Sequence, residues 1–366
     1  MKFTCDKNSL LKEISIAHEI ISSRNALSVL SNVYLEADNN SLTIKATDLK
    51  VSFESKIPIE MSSSGSTTVF SDKFVGILRS LPDGEIEFFQ ENNYFIITPV
   101  FGSINFKLNS IASDKFPELQ KISTENFFKI GQKDLIEMIT QTYFAVSDDE
   151  MRYFMNGVYL EKEEKSLIFV STDGRRLSMI KKNFNFDFNF SPVIIPVKIL
   201  FLLKKLCSGE GEISMAVSEK HVYFEFDNQK LSSNLIEGQF PNYKRVIPEK
   251  QDYNIIVEKE KLTEALKRVS LLVEQKSRRI YFEVQENNII LSSEESEIGI
   301  AKEEIPCAYE GPEKKIALNY IYLLDPLKAI EEENVKLEFS ESNKALSLLP
   351  INRNDCIHII MPMQLD

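Results

Sequence analysis

VYLEADNNSLTIKATD, from Val33 to Asp48, aligns without gaps with two later stretches of the chain: VYLEKEEKSLIFVSTD from Val158 and IYFEVQENNIILSSEE from Ile280. Each stretch alternates apolar and polar residues on both sides of a polar step, a pattern typical of two antiparallel strands joined by a turn. The copies recur with a period of about 124 residues, the length of a whole domain and far longer than a solenoid unit. The pattern therefore predicts three similar tandem domains, at residues 1–123, 124–250 and 251–366.

Apolar stripes at helical spacing accompany the predicted strands. Leu10, Ile14 and Ala17 form one stripe, and Leu262 and Leu266 belong to another, which runs on to Leu272 and Val273. Strands dominate the remainder, so each repeat predicts about two helices packed on one face of an antiparallel sheet, an α+β fold. The predicted helical windows are 6–24, 71–81, 132–152, 196–206, 259–279 and 318–331.

The chain is acidic overall, but its charge is unevenly distributed between the predicted helices and the rest of the chain. A net charge of -12 by itself argues against nucleic-acid binding, because phosphate contacts need Lys and Arg. The six helical windows are together net basic, however, so the acidity belongs to the predicted strands and loops. This partition is compatible with helices that face phosphates and an acidic exterior, although taken alone it is better explained by solvated helix surfaces.

The residues that usually carry catalysis or metal binding are scattered. No CxxC, HExxH or Ser-His-Asp pattern occurs, so we expect no catalytic residues, metal site or cofactor. No apolar run is long enough to span a membrane and no signal peptide is visible, so a cytoplasmic location is expected. The cysteines and histidines are Cys5, Cys207, Cys307, Cys356, His18, His221 and His358.

Short motifs along the whole chain point to one family. The most specific are Thr172-Asp173-Gly174, followed by Arg176-Leu177, and the terminal Met361-Pro362-Met363. With the opening MKFT and the Arg152–Gly157 segment, they resemble the β subunit of bacterial DNA polymerase III, the sliding clamp. The resemblance implies the DNA clamp fold. In that fold two chains join head to tail as a homodimeric ring, with helices lining the inner face and antiparallel sheets outside.

The same resemblance implies a non-enzymatic function. The ring would encircle duplex DNA without sequence preference and confer processivity on the replicative polymerase. Its implied partners are the DNA polymerase III α subunit, the clamp loader and other replication and repair proteins, which dock through short peptide motifs. The implied partner-peptide pocket comprises Met155, Thr172, Gly174, Arg175, Arg176, Leu177, Pro241, Arg245, Val246, Ile359, Met361, Pro362 and Met363.

Three departures from the family pattern bear on this pocket. Arg175 stands where many relatives have histidine, Gln364 replaces a common arginine, and Asp366 extends the tail by one residue. They affect the expected detail of peptide specificity and not the family assignment.

Two further sets of residues complete the expected sites. The resemblance places Phe106 and Leu108 of the first domain against Leu271 and Leu272 of the third, at the dimer interface. Candidate DNA-binding residues, among which Arg24 and Lys198 fall at family positions, are Lys12, Arg24, Lys73, Arg79, Arg152, Tyr153, Lys198, Arg278 and Arg279, with Lys276 beside the last two.

Two alternative functions remain open from the sequence. Asp148, Asp149 and Glu150, together with Asp173, could be imagined as the carboxylates of a metal-dependent nuclease, but such a site needs acids that converge from separate elements. The second alternative is a purely structural repeat protein with no role on DNA.

Overall fold

The computed structural model describes residues 1–21, 29–119, 127–184 and 189–365. The predicted contact residue Arg24, the tail residue Asp366 and the predicted boundary at residue 123 lie outside these ranges. The helices described are α1 (Lys7–Ile20), α2 (Ser71–Ser80), α3 (Gln132–Thr140), α4 (Val197–Leu206), α5 (Lys259–Val269) and α6 (Tyr320–Ala329). The strands described are β1 (Lys2–Asp6), β2 (Asn32–Asp38), β3 (Ser41–Thr47), β4 (Val51–Pro58), β5 (Glu60–Ser63), β6 (Gly65–Phe70), β7 (Glu85–Glu91), β8 (Tyr94–Pro99), β9 (Phe106–Ile111), β10 (Phe128–Gly131), β11 (Gly157–Glu163), β12 (Ser166–Thr172), β13 (Arg176–Asn183), β14 (Val193–Pro196), β15 (Glu212–Val217), β16 (His221–Phe226), β17 (Gln229–Asn234), β18 (Tyr253–Glu258), β19 (Arg279–Gln285), β20 (Asn288–Ser293), β21 (Lys302–Pro306), β22 (Lys314–Asn319), β23 (Asn334–Phe339), β24 (Leu346–Pro350) and β25 (Cys356–Ile360).

Each of the three aligned stretches forms an antiparallel hairpin, which confirms the strand prediction. The hairpins are β2–β3, β11–β12 and β19–β20. Their connecting turns contain left-handed residues: Asn39 and Asn40 in the first, Glu164 in the second and Asn287 in the third. Tight hairpin turns require residues with positive φ, and asparagine tolerates positive φ better than most residues. The polar residues between the two strands of each stretch are therefore explained by the backbone conformation of the turn.

The described residues form two compact units, and the first comprises Met1–Ile130 and Gly211–Leu235. Its strands form one sheet in the order β10-β15-β16-β17-β4-β3-β2-β6-β9-β8-β7-β1-β5. The join between repeats lies at β17–β4, where Leu231 is opposite Phe53. Strands from the second sequence repeat therefore extend the sheet of the first.

The second compact unit comprises Gly131–Glu210 and Ile236–Asp366. One of its sheets has the order β14-β11-β12-β13-β25-β24-β23-β18, and the other has the order β21-β20-β19-β22. The β13–β25 pair joins the second repeat to the third, with Leu177 opposite Ile359. Because hydrogen-bonded sheets continue across both repeat boundaries, the compact units do not coincide with the sequence repeats, and the predicted boundaries stay a prediction.

The helices cover the sheets with the predicted stripes. Leu10, Ile14 and Ala17 of α1 are fully buried, as is Leu266 of α5, whereas Leu272 lies outside the core. Helix α1 begins at a true cap, because the Asp6 side chain accepts a hydrogen bond from the Ser9 amide.

Two predicted helical windows extend ten or more residues beyond the helices they contain. Helix α3 ends at Thr140 rather than continuing to residue 152, and the Thr142 hydroxyl donates back to the Met138 carbonyl. Helix α5 ends at Val269, and the Ser270 hydroxyl donates to the Lys267 carbonyl in the same way. Serine and threonine side chains that bond to the preceding turn compete with helix propagation, which explains both early ends.

Candidate functional site

A cavity of about 190 Å³, called here the apolar groove, opens beside the β13–β25 pair of the second compact unit. Its lining is mostly carbon, and it brings together ten of the thirteen residues predicted for the partner pocket. Those ten residues are Met155, Thr172, Gly174, Arg175, Arg176, Leu177, Pro241, Val246, Ile359 and Met361. Sequence reasoning missed Asn242 and Tyr243, which follow Pro241 directly and complete the wall.

The apolar groove has a buried floor and an exposed rim. Leu177 and Ile359 lie opposite each other on paired strands, and with Met155 they form the buried floor. Val246 and Met361 are 47% and 42% exposed at the rim. A concave surface of this kind, with carbon at its base and polar groups at its edge, suits the insertion of apolar side chains.

The wall on the β12–β13 side is shaped by the turn at Asp173. One carboxylate oxygen of Asp173 accepts hydrogen bonds from the amides of Arg175 and Arg176, at 2.8 and 3.0 Å. Gly174 has a φ of 87°, and a Cβ atom there would lie 2.9 Å from Nη1 of Arg152. The Thr-Asp-Gly motif is therefore required by the backbone of this turn, whatever binds beside it.

Arg176 lies beneath the wall of the groove, and its guanidinium group is bound by other residues of the same chain. Its guanidinium donates to Asp173 at 3.0 Å, to Asp325 at 2.7 Å and to the Phe144 carbonyl at 2.5 Å. It also stacks over the ring of Tyr322, with 4.7 Å between the guanidinium carbon and the ring centroid. Arg176 thus holds the groove wall against α6, and the exposed Arg175 is the cation that faces outward.

A second cavity of about 550 Å³, called here the basic cavity, adjoins the apolar groove and shares Arg175 and Met361 with it. The predicted pocket residues Pro362 and Met363 line this cavity and not the groove. Arg245, the remaining residue of the predicted set, lies exposed in a short turn and lines neither cavity, so its part in the pocket stays a prediction. The remaining lining residues are Gln275, Lys276, Ser277, Arg278, Arg279, Asn319, Tyr322 and Gln364.

A buried polar cluster surrounds His358, the residue that precedes the floor residue Ile359 on β25. His358 of β25 is fully buried, with Nδ1 3.0 Å from the Ser178 hydroxyl and Nε2 3.4 Å from Sγ of Cys356. Burial lowers the pKa of His358 to about 3 and raises the pKa of the Cys356 thiol. The His358 imidazole links β25 to β13 in its neutral form, and protonation would place an unfavourable charge in the buried cluster.

We expect the stability of the second compact unit to fall in acid because of His358. The unfolded histidine takes up a proton near pH 6.5, whereas the folded one does so only near pH 3, so its contribution is complete above pH 6.5 and declines below it. The expected slope is about 1.4 kcal/mol per pH unit. Urea unfolding between pH 7 and 4.5 should show this slope in the wild type and a smaller one in His358→Gln. Equal slopes would contradict the assignment.

The predicted DNA-binding residues occupy several separate positions. Lys12 lies on α1, Lys73 and Arg79 on α2, and Lys198 on α4, all with exposed side chains. Tyr153 is also exposed, whereas Arg152 is tied to the Asp149 carboxylate and to the Asp173 carbonyl. Arg278 and Arg279 line the basic cavity beside the groove, together with Lys276.

The predicted dimer residues lie on β9 and in the short turn that follows α5. Phe106 and Leu108 are half-buried on β9, where Phe106–Asn109 pairs with β8 and, among the described strands, with no other. Leu271 is 80% exposed and Leu272 half-buried just after α5. Strand β21 is the outer strand of its sheet. Sequence reasoning missed the exposed apolar residues just before β9 and β21, of which Phe101 and Ile298 are the most exposed; their signal is an apolar side chain inside a polar loop.

The acids proposed for a nuclease do not converge. Asp149 caps a short turn and pairs with Arg152, and Asp173 is held by its own turn and by Arg176. Among residues 1–21, 29–119, 127–184 and 189–365, no group of three potential ligands is arranged to hold a metal ion. In the same part of the chain, no helix has the length and apolar character that crossing a membrane requires.

Three family models together match nearly the whole chain. They describe the N-terminal, central and C-terminal domains of the DNA polymerase III beta subunit, and they match residues 1–120, 129–242 and 244–364.

Individual relatives match the chain from end to end. The beta sliding clamp of Treponema pallidum is 46% identical, and that of Escherichia coli is 28% identical, with all of both chains covered in each case. Two crystal structures of sliding clamps, one from Pseudomonas aeruginosa bound to griselimycin and one from Bacillus subtilis, superpose with a TM-score of 0.95. They are 30% and 27% identical to this chain, again over all of both chains.

Proposed function

Because the chain belongs to the DNA polymerase III beta subunit family, the sliding clamps, we propose that its apolar groove is the site where partner proteins dock. The chain has the three-domain clamp fold and serves DNA replication as a non-catalytic processivity subunit. The comparisons support neither the nuclease nor the purely structural alternative. What the family assignment leaves open is which residues carry each contact.

The observation that supports the docking site is the construction of the groove. Its floor is made by Leu177 and Ile359 on paired strands, and its rim carries exposed Val246 and Met361. Leucine and phenylalanine side chains of a short peptide fit such a surface, and a methionine at the rim adapts to different sequences. The proposed occupants are peptide motifs of the DNA polymerase III α subunit, the clamp loader and other replication and repair proteins.

Val246→Asp should abolish most of this binding. The new carboxylate would have to lose water when an apolar side chain enters the groove, and a cost of about 3 kcal/mol weakens binding roughly 100-fold. Val246 is exposed, so the fold should tolerate the change. Isothermal titration with a peptide rich in Leu and Phe measures the effect.

An exposed leucine elsewhere in the chain supplies the control. Leu49→Asp introduces the same side chain with the same change of charge outside both cavities, and we expect less than about a threefold change in affinity. If Leu49→Asp weakened binding as much as Val246→Asp, the groove would not be the determinant. If neither variant weakened it, the docking site would lie elsewhere.

Ring closure is proposed to use β9 of one chain and the turn after α5 of the other. The half-buried Phe106 and Leu108 on β9 of one chain would meet Leu271 and Leu272 of the other, which forms a homodimer in which each contact occurs twice. Unpaired strand edges such as that of β9 are prone to association, which supports the choice of this surface.

DNA contact is proposed to be electrostatic and independent of sequence. Lys12, Lys73, Arg79 and Lys198 are exposed on helices, where phosphates could approach them. A closed ring needs no tight contact, because topology retains the duplex, and weak phosphate attraction permits sliding. We infer that the protein acts in the cytoplasm, where bacterial chromosomal DNA and the replication proteins are found.

A further inference from the structure

We propose that Glu161 of β11 positions one wall of the apolar groove and thereby sets how tightly the groove holds a peptide. Glu161 does not line the groove, and Tyr243, the wall residue that it contacts, follows it by 82 positions. Because Glu161 acts only through the groove, this role rests on the docking function proposed above.

The wall in question is a loop, residues 240–246, called here the wall segment. Four of its residues line the groove: Pro241, Asn242, Tyr243 and Val246. No described strand includes the segment. In the described part of the chain, its one backbone hydrogen bond outside regular helices and strands is internal, from the Arg245 amide to the Asn242 carbonyl at 3.4 Å. The position of the wall segment therefore depends on contacts of its side chains.

One face of β11 provides those contacts. Tyr159, Glu161 and Glu163 are alternate residues of the strand and so share a face. The ring of Tyr159 stacks on Phe240, at the start of the wall segment, with 4.7 Å between centroids and 11° between planes. The stacked pair fixes one end of the segment by packing, and it leaves Glu161 opposite the middle of the segment.

Tyr243 is the residue through which Glu161 reaches the groove. Its hydroxyl donates to Oε2 of Glu161 at 2.7 Å, and its ring belongs to one hydrophobic cluster with the floor residues Leu177 and Ile359. Burial, and then the neighbouring Glu161, raise the pKa of Tyr243, so the phenol stays protonated and remains the donor. A hydrogen bond to a carboxylate is roughly twice as strong as one between neutral groups, and a buried hydroxyl without an acceptor is costly.

The other oxygen of Glu161 faces Lys244, which separates the roles of the two acids. Nζ of Lys244 lies 3.3 Å from Oε1 of Glu161 and 3.5 Å from Oε1 of Glu163. Lys244 is exposed, so neither ion pair contributes much by itself. The bond to the Tyr243 hydroxyl is the contact that distinguishes Glu161 from Glu163.

Glu161→Leu should weaken the binding of a peptide rich in Leu and Phe about tenfold. Without the carboxylate, the Tyr243 hydroxyl has to move to reach water, and a wall correctly placed in about a tenth of the molecules gives about a tenth of the affinity. Glu161→Gln keeps an acceptor in the same place and should bind within about twofold of the wild type. Isothermal titration into the full-length protein measures both.

The matched control lies on the same strand. Glu163→Leu makes the same substitution on the same face of β11, at an acid that pairs with Lys181 and Lys244 and not with Tyr243. It should bind the peptide within about twofold of the wild type.

Tyr243→Phe shows whether the effect passes through the hydroxyl. Alone it should weaken binding about threefold. Combined with Glu161→Leu it should also cost about threefold rather than about thirtyfold, because no hydroxyl is then left without an acceptor. Additive losses would mean that Glu161 acts by another route, and the positioning role would be wrong.

Trypsin reports the position of the wall segment without any peptide. Lys244 and Arg245 are exposed there, and cleavage after them requires the turn to open. Glu161→Leu should be cut at these two bonds about tenfold faster than the wild type, whereas Glu161→Gln and Glu163→Leu should be cut at the wild-type rate. Mass spectrometry identifies the bonds.

Three further results would overturn the positioning role. Glu161→Leu could bind the peptide as tightly as the wild type, or Glu163→Leu could bind it as weakly as Glu161→Leu. Faster cleavage with unchanged peptide affinity would show that Glu161 holds the segment without setting the affinity of the groove. If the wild type bound no peptide, the docking function itself would fail and the role of Glu161 with it, and the cleavage rates would still show whether Glu161 holds the segment.

Discussion

Arg176→Ala should lower the free energy of unfolding of the second compact unit by about 3 kcal/mol. The guanidinium is 11% exposed and lies between Asp173 and Asp325, which are 16% and 22% exposed. Removing it leaves Asp173 without its guanidinium partner, Asp325 with only the longer contact to Lys328 at 3.8 Å, and the Phe144 carbonyl without this donor. Leaving partly buried charges unpaired costs far more than a surface ion pair contributes. Thermal and urea unfolding measure the loss.

The adjacent arginine provides the comparison for this experiment. Arg175 is exposed, so Arg175→Ala should change the free energy of unfolding by less than about 0.5 kcal/mol. Arg176→Lys should fall between the two, because it keeps the charge but cannot reach three acceptors with a planar fork. Wild-type stability in Arg176→Ala would mean that the network around Arg176 does not hold the groove wall.

Leu271→Ala combined with Leu272→Ala should weaken dimerisation by about six orders of magnitude. Each leucine buried at an interface contributes roughly 2 kcal/mol, and each contact occurs twice in the homodimer, so the loss is about 8 kcal/mol. Leu271 is 80% exposed and Leu272 lies outside the core, so the single chain should fold normally. Sedimentation over a range of concentrations measures the shift to monomer.

The same variant connects ring closure to DNA retention. Wild-type protein should stay on circular DNA at salt concentrations that abolish electrostatic binding, whereas the double variant should leave circular and linear DNA alike. Leu49→Ala removes another exposed leucine, 60% accessible, far from the proposed contact in sequence, and should behave as wild type. If the double variant sedimented as a dimer, the interface would be wrongly placed.

The sequence predicted the repeating parts of the molecule well, because the physics behind them is local. Alternation along Val33–Asp48 and its two counterparts requires hairpins, and the stripe from Leu10 to Ala17 requires a buried helix face. Helix ends were predicted less well, since a single hydroxyl such as that of Thr142 can decide where hydrogen bonding stops.

The candidate site was predicted by resemblance, and its details depended on contacts distant in sequence. The sequence around residue 176 does not indicate that Arg176 binds Asp325, which lies 149 positions later. The basic cavity was missed for the same reason, because it joins Lys276 and Arg278 to the terminal Met363 only after folding. Arg245 was included by family position, and its side chain lines neither cavity, so its role stays a prediction.

The pairing of β17 with β4 and of β13 with β25 limits how this protein can be divided. A fragment cut at the sequence repeats, such as residues 124–250, would leave two hydrogen-bonding strand edges bare and would tend to aggregate. Chimeras with related chains should therefore exchange Gly211–Leu235 together with the first repeat, since recombination that separates them breaks a sheet. The sequence contains three copies of a domain-length repeat, but the segments that can be exchanged without breaking a sheet are set by strand pairing.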